Sequence, residues 1–163
     1  MFIGLISDTH GVLGPEMEEF LSPVDEIWHA GDFGGGIEFA KQIAALKPLR
    51  AVHGNCDGQD IRYEYPAFQC FECEGKKVLI KHIGGRPGRY DIVAESILDQ
   101  CKPDIFVCGH SHILLVKNVP ERGWLHINPG AAGLQGWHLE RTALRFHIES
   151  GNIHGMELFR LPR

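Results

Sequence analysis

A chain of 163 residues can bury a sizeable core in one domain and leaves little length for a capping domain or a recognition insert. Its 44% hydrophobic content is ordinary for a globular protein, and no apolar run approaches a membrane span, so a membrane partner is not expected. A formal net charge of -5 lacks the basic footprint of a protein that binds polymeric nucleic acid.

The first strand is expected at Phe2–Ile6, so no signal segment precedes it. The cysteines Cys56, Cys70, Cys73, Cys101 and Cys108 are odd in number and scattered, which predicts reduced thiols and a cytoplasmic protein. Gly14-Pro15 opens a short helix that carries Met17, Phe20 and Leu21, since proline suits a first helical turn. Glu26–His29 reads as a strand, and Gly34-Gly35-Gly36 as a flexible turn. Ile37–Leu46 has helical apolar spacing ended by Pro48. Leu49–Val52 is a third strand, and short apolar strands alternating with helices predict a parallel sheet covered on both faces.

The second half differs. Phe68–Glu74 and Lys76–His82 predict a hairpin turning at Glu74-Gly75, Gly84–Gly88 a loop, and Tyr90–Cys101 an amphipathic helix. Ile105–Cys108 reads as a buried strand. From Leu114 onward come three or four strands without helices, including Ala143–Glu149 and Ile153–Leu158 around Ser150-Gly151-Asn152. The expected fold is an α/β, four-layer α-β-β-α sandwich: two mixed sheets flanked by helices.

Metal-ligand side chains follow five of these strands. They are Asp8 and His10 in S-D-T-H, Asp32 in A-G-D, Asn55 in G-N-C-D, His82 in I-K-H, and His110 and His112 in G-H-S-H. Loops at the carboxyl ends of strands form the binding crevice of an open α/β sheet, so ligands distant in sequence can meet there. Two cations held close together clamp a phosphoryl group and lower the pKa of a water between them. Holding like charges that close needs a bridging anion. Asp32, the carboxylate in the middle of the series, is the candidate bridge. Gly54 is expected to let the backbone turn and aim Asn55. Oxygen and imidazole donors without thiolate suit Mn²⁺, Fe²⁺, Co²⁺ or Ni²⁺, with Zn²⁺ also compatible.

These clusters, in this order, resemble the calcineurin-like metallophosphoesterases over the whole chain. The short bacterial and archaeal phosphodiesterase branch is most similar, through G-N-C-D and the run Asn128-Pro129-Gly130. The resemblance implies that Asp8, His10, Asp32 and His112 hold one divalent metal, and that Asp32, Asn55, His82 and His110 hold a second. It also implies in-line attack on a small phosphodiester by a hydroxide between the metals. Many larger members have histidine in G-N-H-[DE], where it protonates the leaving oxygen and its acidic neighbour orients it; here Cys56 and Asp57 stand at those places. Arg86 and Arg89 in the glycine-rich loop are candidates for contact with substrate phosphate. The family also includes a metal-poor scaffold subunit of a membrane coat, as well as monoesterases and nucleases. The scaffold lacks the histidine matching His10, whereas this chain fills every position.

Other features have plainer readings. His29 and His53 lie near enough in sequence to support the ligands. His126, His138, His147 and His154 are expected in the core or on the surface. Cys70-Phe71-Glu72-Cys73 is half a zinc motif without its second half, and reads as hairpin packing.

Overall fold

A computed structural model describes residues 1–163. In chain order the elements are β1 (Phe2–Ile6), α1 (Pro15–Leu21), β2 (Glu26–His29), α2 (Gly36–Leu46), β3 (Leu49–Ala51), α3 (Gln59–Glu64), β4 (Phe68–Cys73) and β5 (Lys76–Lys81). They continue with β6 (Gly85–Arg86), β7 (Arg89–Tyr90), α4 (Ile92–Cys101), β8 (Ile105–Val107), β9 (Leu114–Val119), β10 (Trp124–Pro129), β11 (Glu140–Glu149) and β12 (Asn152–Pro162). One sheet runs β12-β11-β1-β2-β3 and the other β4-β5-β8-β10-β9. Strands β1, β2 and β3 are parallel, as are β5, β8 and β10, and antiparallel strands complete both sheets.

The layers follow from the twofold alternation of side chains along each strand. Ile3 and Leu5 of β1, Val78 and Ile80 of β5, and Ile105 and Val107 of β8 point between the sheets, with Trp28 and Phe146. Ile6 and Ile27 face the other way, onto Met17 and Leu21 of α1 and Ala40 and Ile43 of α2. Leu79 and Phe106 likewise pack outward on Ala94 and Leu98 of α4. The α-β-β-α arrangement expected from sequence is the one observed.

Some local expectations change. Helix α3 was not foreseen, because only Ile61 of its six residues is buried and no apolar period marks it. The glycine-rich segment before α4 is a small hairpin, with Gly85 opposite Tyr90 and Arg86 opposite Arg89. Helix α4 starts later than expected, because Asp91 caps it by accepting the Val93 and Ala94 N–H groups at 3.0 and 3.1 Å.

The cysteines require a correction. Cys70 and Cys101 form a disulfide with their Cα atoms 6.3 Å apart, so they are not reduced thiols, while Cys56, Cys73 and Cys108 remain free. An exposed position on β4 meets the last turn of α4, a proximity across 31 residues that spacing does not reveal. The cysteine count therefore no longer argues for a reducing compartment. No helix is long and apolar enough to cross a membrane.

Candidate metal centre

The parallel strands of both sheets end on one rim. Asp8 follows β1, Asp32 follows β2 and Asn55 follows β3, all from the first sheet. His82 follows β5 directly, and His110 and His112 follow β8, from the second. The crevice lies at the seam between the sheets, which is why side chains separated by most of the chain meet.

Two triads form there: Asp8, His10 and His112, and Asp32, His82 and His110, with the ligating atoms of each lying within 4.8 Å of one another. Asp8 Oδ1 is 3.1 Å from His112 Nε2 and 3.8 Å from His10 Nε2. Asp32 Oδ2 is 3.2 Å from His82 Nε2 and 3.9 Å from His10 Nε2, and so faces both triads. Donors bound about 2.1 Å from one ion sit roughly 3.0–3.4 Å apart, at octahedral or tetrahedral angles. The shorter separations match this spacing.

The donor atoms are also prepared for an ion. His82 Nδ1 is 2.7 Å from the Ala30 carbonyl, which fixes its proton there and leaves the Nε2 lone pair facing the acids. The buried Nε2 atoms of His10 and His82 have no hydrogen-bond partner, an unfavourable state that a cation would relieve. Burial raises the Asp8 and Asp32 carboxyls, but a proton on the neighbouring imidazole Nε2 opposes it, chiefly that of His112 for Asp8 and of His82 for Asp32, and holds both below the usual carboxylate range; a metal ion on the same Nε2 atoms would take that proton's place. Both acids are therefore anionic ligands at neutral pH. The residues fit divalent ions.

The calcineurin-like phosphoesterase superfamily domain matches residues 1–151. The chain belongs to that superfamily. Its members are in general phosphoester hydrolases that bind divalent metals. Vps29 from Entamoeba histolytica, solved with Zn²⁺, has the same fold: TM-score 0.76 at 18% identity, over 99% of each chain. An archaeal phosphodiesterase aligns at TM-score 0.71 and 25% identity, over 98% of this chain and 100% of that one. A Thermotoga maritima protein aligns at TM-score 0.70 and 22% identity, over 98% and 99%. No curated protein sequence matches the chain significantly.

In this calcineurin-like chain the backbone is strained where the ligands sit. Asp8, His10, Asp32, His110 and His112 have φ of 53°, 44°, 57°, 69° and 61°, in the left-handed region that side chains disfavour. Such strain persists only where the surroundings enforce it. His29 supplies part of that enforcement. It accepts the Gly31 N–H on Nδ1, at 3.1 Å, so its Nε2 proton points to the Thr9 hydroxyl at 2.9 Å. That hydroxyl donates to the Phe33 carbonyl at 2.7 Å. Burial pushes His29 down to about 3, so it is a neutral brace beneath the loops of Asp8, His10 and Asp32. Gly54 has a role other than the expected turn: a Cβ there would overlap Asp32, with Asp32 Cγ only 2.7 Å away.

The expected partnership of Cys56 and Asp57 is corrected. Asp57 is buried and accepts four backbone N–H groups, from Asp32, Phe33, Gly34 and Gly54, at 3.0, 2.9, 3.4 and 2.8 Å. Its carboxylate positions the Asp32 loop against the Asn55 loop and is not directed at residue 56. Cys56 is exposed; its N–H donates to Asp32 Oδ1 at 2.8 Å, which leaves Oδ2 of that carboxylate facing the histidines. The Asn55 amide also lies exposed, 3.5 Å from the Cys56 sulfur. Arg62 of α3 donates to the carbonyls of Asp57, Gly54 and Asn55, and fixes that loop from outside.

Sequence reasoning missed other supports. Ser7 donates to Asp8 Oδ2 at 2.5 Å, and the His110 N–H donates to the same oxygen at 3.0 Å. His138, expected in the core or on the surface, meets His112 Nδ1 through its own Nδ1 at 3.3 Å, while its Nε2 lies 2.9 Å from the Gly133 carbonyl. His138 therefore donates from Nε2 and accepts from His112 on Nδ1, which frees His112 Nε2 as a ligand. No sequence motif signals this pair. His53, expected near the ligands, places Nδ1 2.9 Å from the Tyr65 carbonyl and lines a depression with Asn55 and His82. Arg86 and Arg89 line a cavity of about 570 Å³ that also reaches His110, with Ile83, Tyr90 and Ile113 on its walls.

Proposed function

We propose that the chain is a metal-dependent phosphodiesterase that cleaves a small phosphodiester with two divalent ions of the Mn²⁺, Fe²⁺, Co²⁺, Ni²⁺ or Zn²⁺ group. The observation that carries this reading is that the two donor triads share a seam: Asp32 Oδ2 lies 3.2 Å from His82 Nε2 and 3.9 Å from His10 Nε2, and Asp8 Oδ1 lies 3.8 Å from each of the same two nitrogens. Ions bound there would polarise the phosphoryl group and activate the attacking water. The chain's residues would then supply position. Asp8, His10, Asp32 and His112 hold one ion; Asp32, Asn55, His82 and His110 hold the other. Asp57, Ser7, His29 and His138 keep those side chains aimed, and little reorganisation remains during the reaction. Cys56, in place of a histidine, favours substrates whose leaving groups depart without a matched proton donor.

The test is hydrolysis of bis(4-nitrophenyl) phosphate by metal-reconstituted protein. Activity is expected to rise with Mn²⁺ or Ni²⁺ and to collapse in chelator.

A scaffold role without catalysis is the second reading. It is favoured by the apolar side chains exposed beside the centre, with Trp137 100% and Leu139 85% accessible on either side of His138. Protein that binds two ions and hydrolyses no phosphoester would support this alternative.

A further inference from the structure

The hairpin of β6 and β7 carries two arginines that face each other. Arg86 and Arg89 are direct cross-strand partners, so their side chains leave the same face of the ribbon. Both are exposed. Every other arginine in the chain meets a carboxylate or a backbone carbonyl. Arg86 and Arg89 meet neither, although the chain is acidic overall. Like charges set directly opposite each other on a ribbon are destabilising unless something lies between them. Asp91, the acid that lines the same cavity, is occupied with the first turn of α4. Lys117 extends the cationic rim into an adjoining depression that Leu115 also lines.

The cavity gives this pair its meaning. The cavity lined by the two arginines is also lined by His110, a member of the second donor triad, and by the apolar side chains of Ile83, Ile113 and Leu115. A molecule seated with one phosphoryl group at the metal centre would lay an organic group on that surface and present whatever lies beyond it to the arginines. Paired guanidinium groups match the oxygens of a phosphoryl group, with charge-assisted hydrogen bonds.

We infer that Arg86 and Arg89 form an anion clamp for a second phosphoryl group, and that the substrate is a phosphodiester one of whose ester groups itself bears a phosphate. The inference rests on the phosphodiesterase reading and narrows its substrate class.

Calorimetric titration of Mn²⁺-loaded protein with thymidine 5′-monophosphate and thymidine 3′,5′-bisphosphate tests the clamp without requiring turnover. Wild-type protein is expected to bind the bisphosphate about tenfold or more tightly than the monophosphate, the scale of a charge-assisted pair. The double variant R86A/R89A should lose that advantage and keep its affinity for the monophosphate. Equal affinities in the wild type, or an advantage that survives in the double variant, would overturn the clamp. Unchanged Mn²⁺ affinity in the double variant shows that its centre is intact. Hydrolysis of bis(4-nitrophenyl) phosphate, which carries one negative charge, serves as the separate control. If neither protein hydrolyses it, the phosphodiesterase reading and the substrate class built on it both fail, whatever the calorimetry shows.

Discussion

Asp57 holds Asp32 by its backbone: Asp57 Oδ2 accepts the Asp32 N–H at 3.0 Å and the Gly54 N–H at 2.8 Å, so one carboxylate ties two ligand loops together. An acid that lies beside the metal ligands in sequence is thus a structural anchor. Asp57→Ala would leave buried N–H groups unpaired and should cost about 3 kcal/mol. For a chain of this size that is a fall of roughly 6–12 °C in Tm. Thermal unfolding of the metal-free protein measures it, and a change under 2 °C (about 0.5–1 kcal/mol) would remove the anchor.

His138 selects the tautomer of His112 through the 3.3 Å contact between their Nδ1 atoms. His138→Ala should weaken the ion held by Asp8, His10 and His112 by roughly 10–100-fold, the usual effect of removing a ligand's hydrogen-bond partner. The ion held by Asp32, His82 and His110 should be little affected. Titration with Mn²⁺ resolves the two steps, and unchanged affinity in both would assign His138 to packing alone.

The strained backbone gives a test that inverts an ordinary preference. His110 is exposed and has φ 69°, so its side chain contributes little packing while its backbone is disfavoured. In metal-free protein, His110→Gly should be more stable than His110→Ala by about 1 kcal/mol. At an unstrained loop position alanine would be the more stable of the two. Comparing the two denaturation midpoints settles the sign.

The alternation of Ile3 and Leu5 against Ile6, and of Val78 and Ile80 against Leu79, made both faces of both sheets legible in sequence. The ligand clusters were legible for a related reason: each begins where an apolar strand stops, so strand position implies rim position. What was not legible depends on contacts between distant segments. Helix α3 has a single buried side chain and therefore no period to read. The Cys70–Cys101 bond and the His112–His138 pair join segments that no spacing rule connects. Asp57 was legible as important but not in its task, because adjacency to Cys56 in sequence suggested a partner that the backbone does not supply.

Cys56 stands exposed beside Asn55 and Asp32, at the place where the G-N-H-[DE] resemblance would put a histidine. Under the phosphodiesterase reading, Cys56→His should raise the rate on diesters with poor leaving groups more than on nitrophenyl diesters, since a matched general acid contributes about 10²–10⁴-fold where it acts. A leaving-group series on wild type, Cys56→His and Cys56→Ala reads this directly. Identical slopes in all three would show that residue 56 takes no part in proton transfer.

If Asp32 joins two ion sites into one centre, removing its charge must change the number of ions bound. Metal analysis of Mn²⁺-reconstituted protein should give two ions per chain in the wild type, as the two donor triads imply. Asp32→Asn, which keeps the shape and removes the anion, should empty or displace at least one site and abolish hydrolysis. Full occupancy of both sites in Asp32→Asn would show that Asp32 does not bridge two ions.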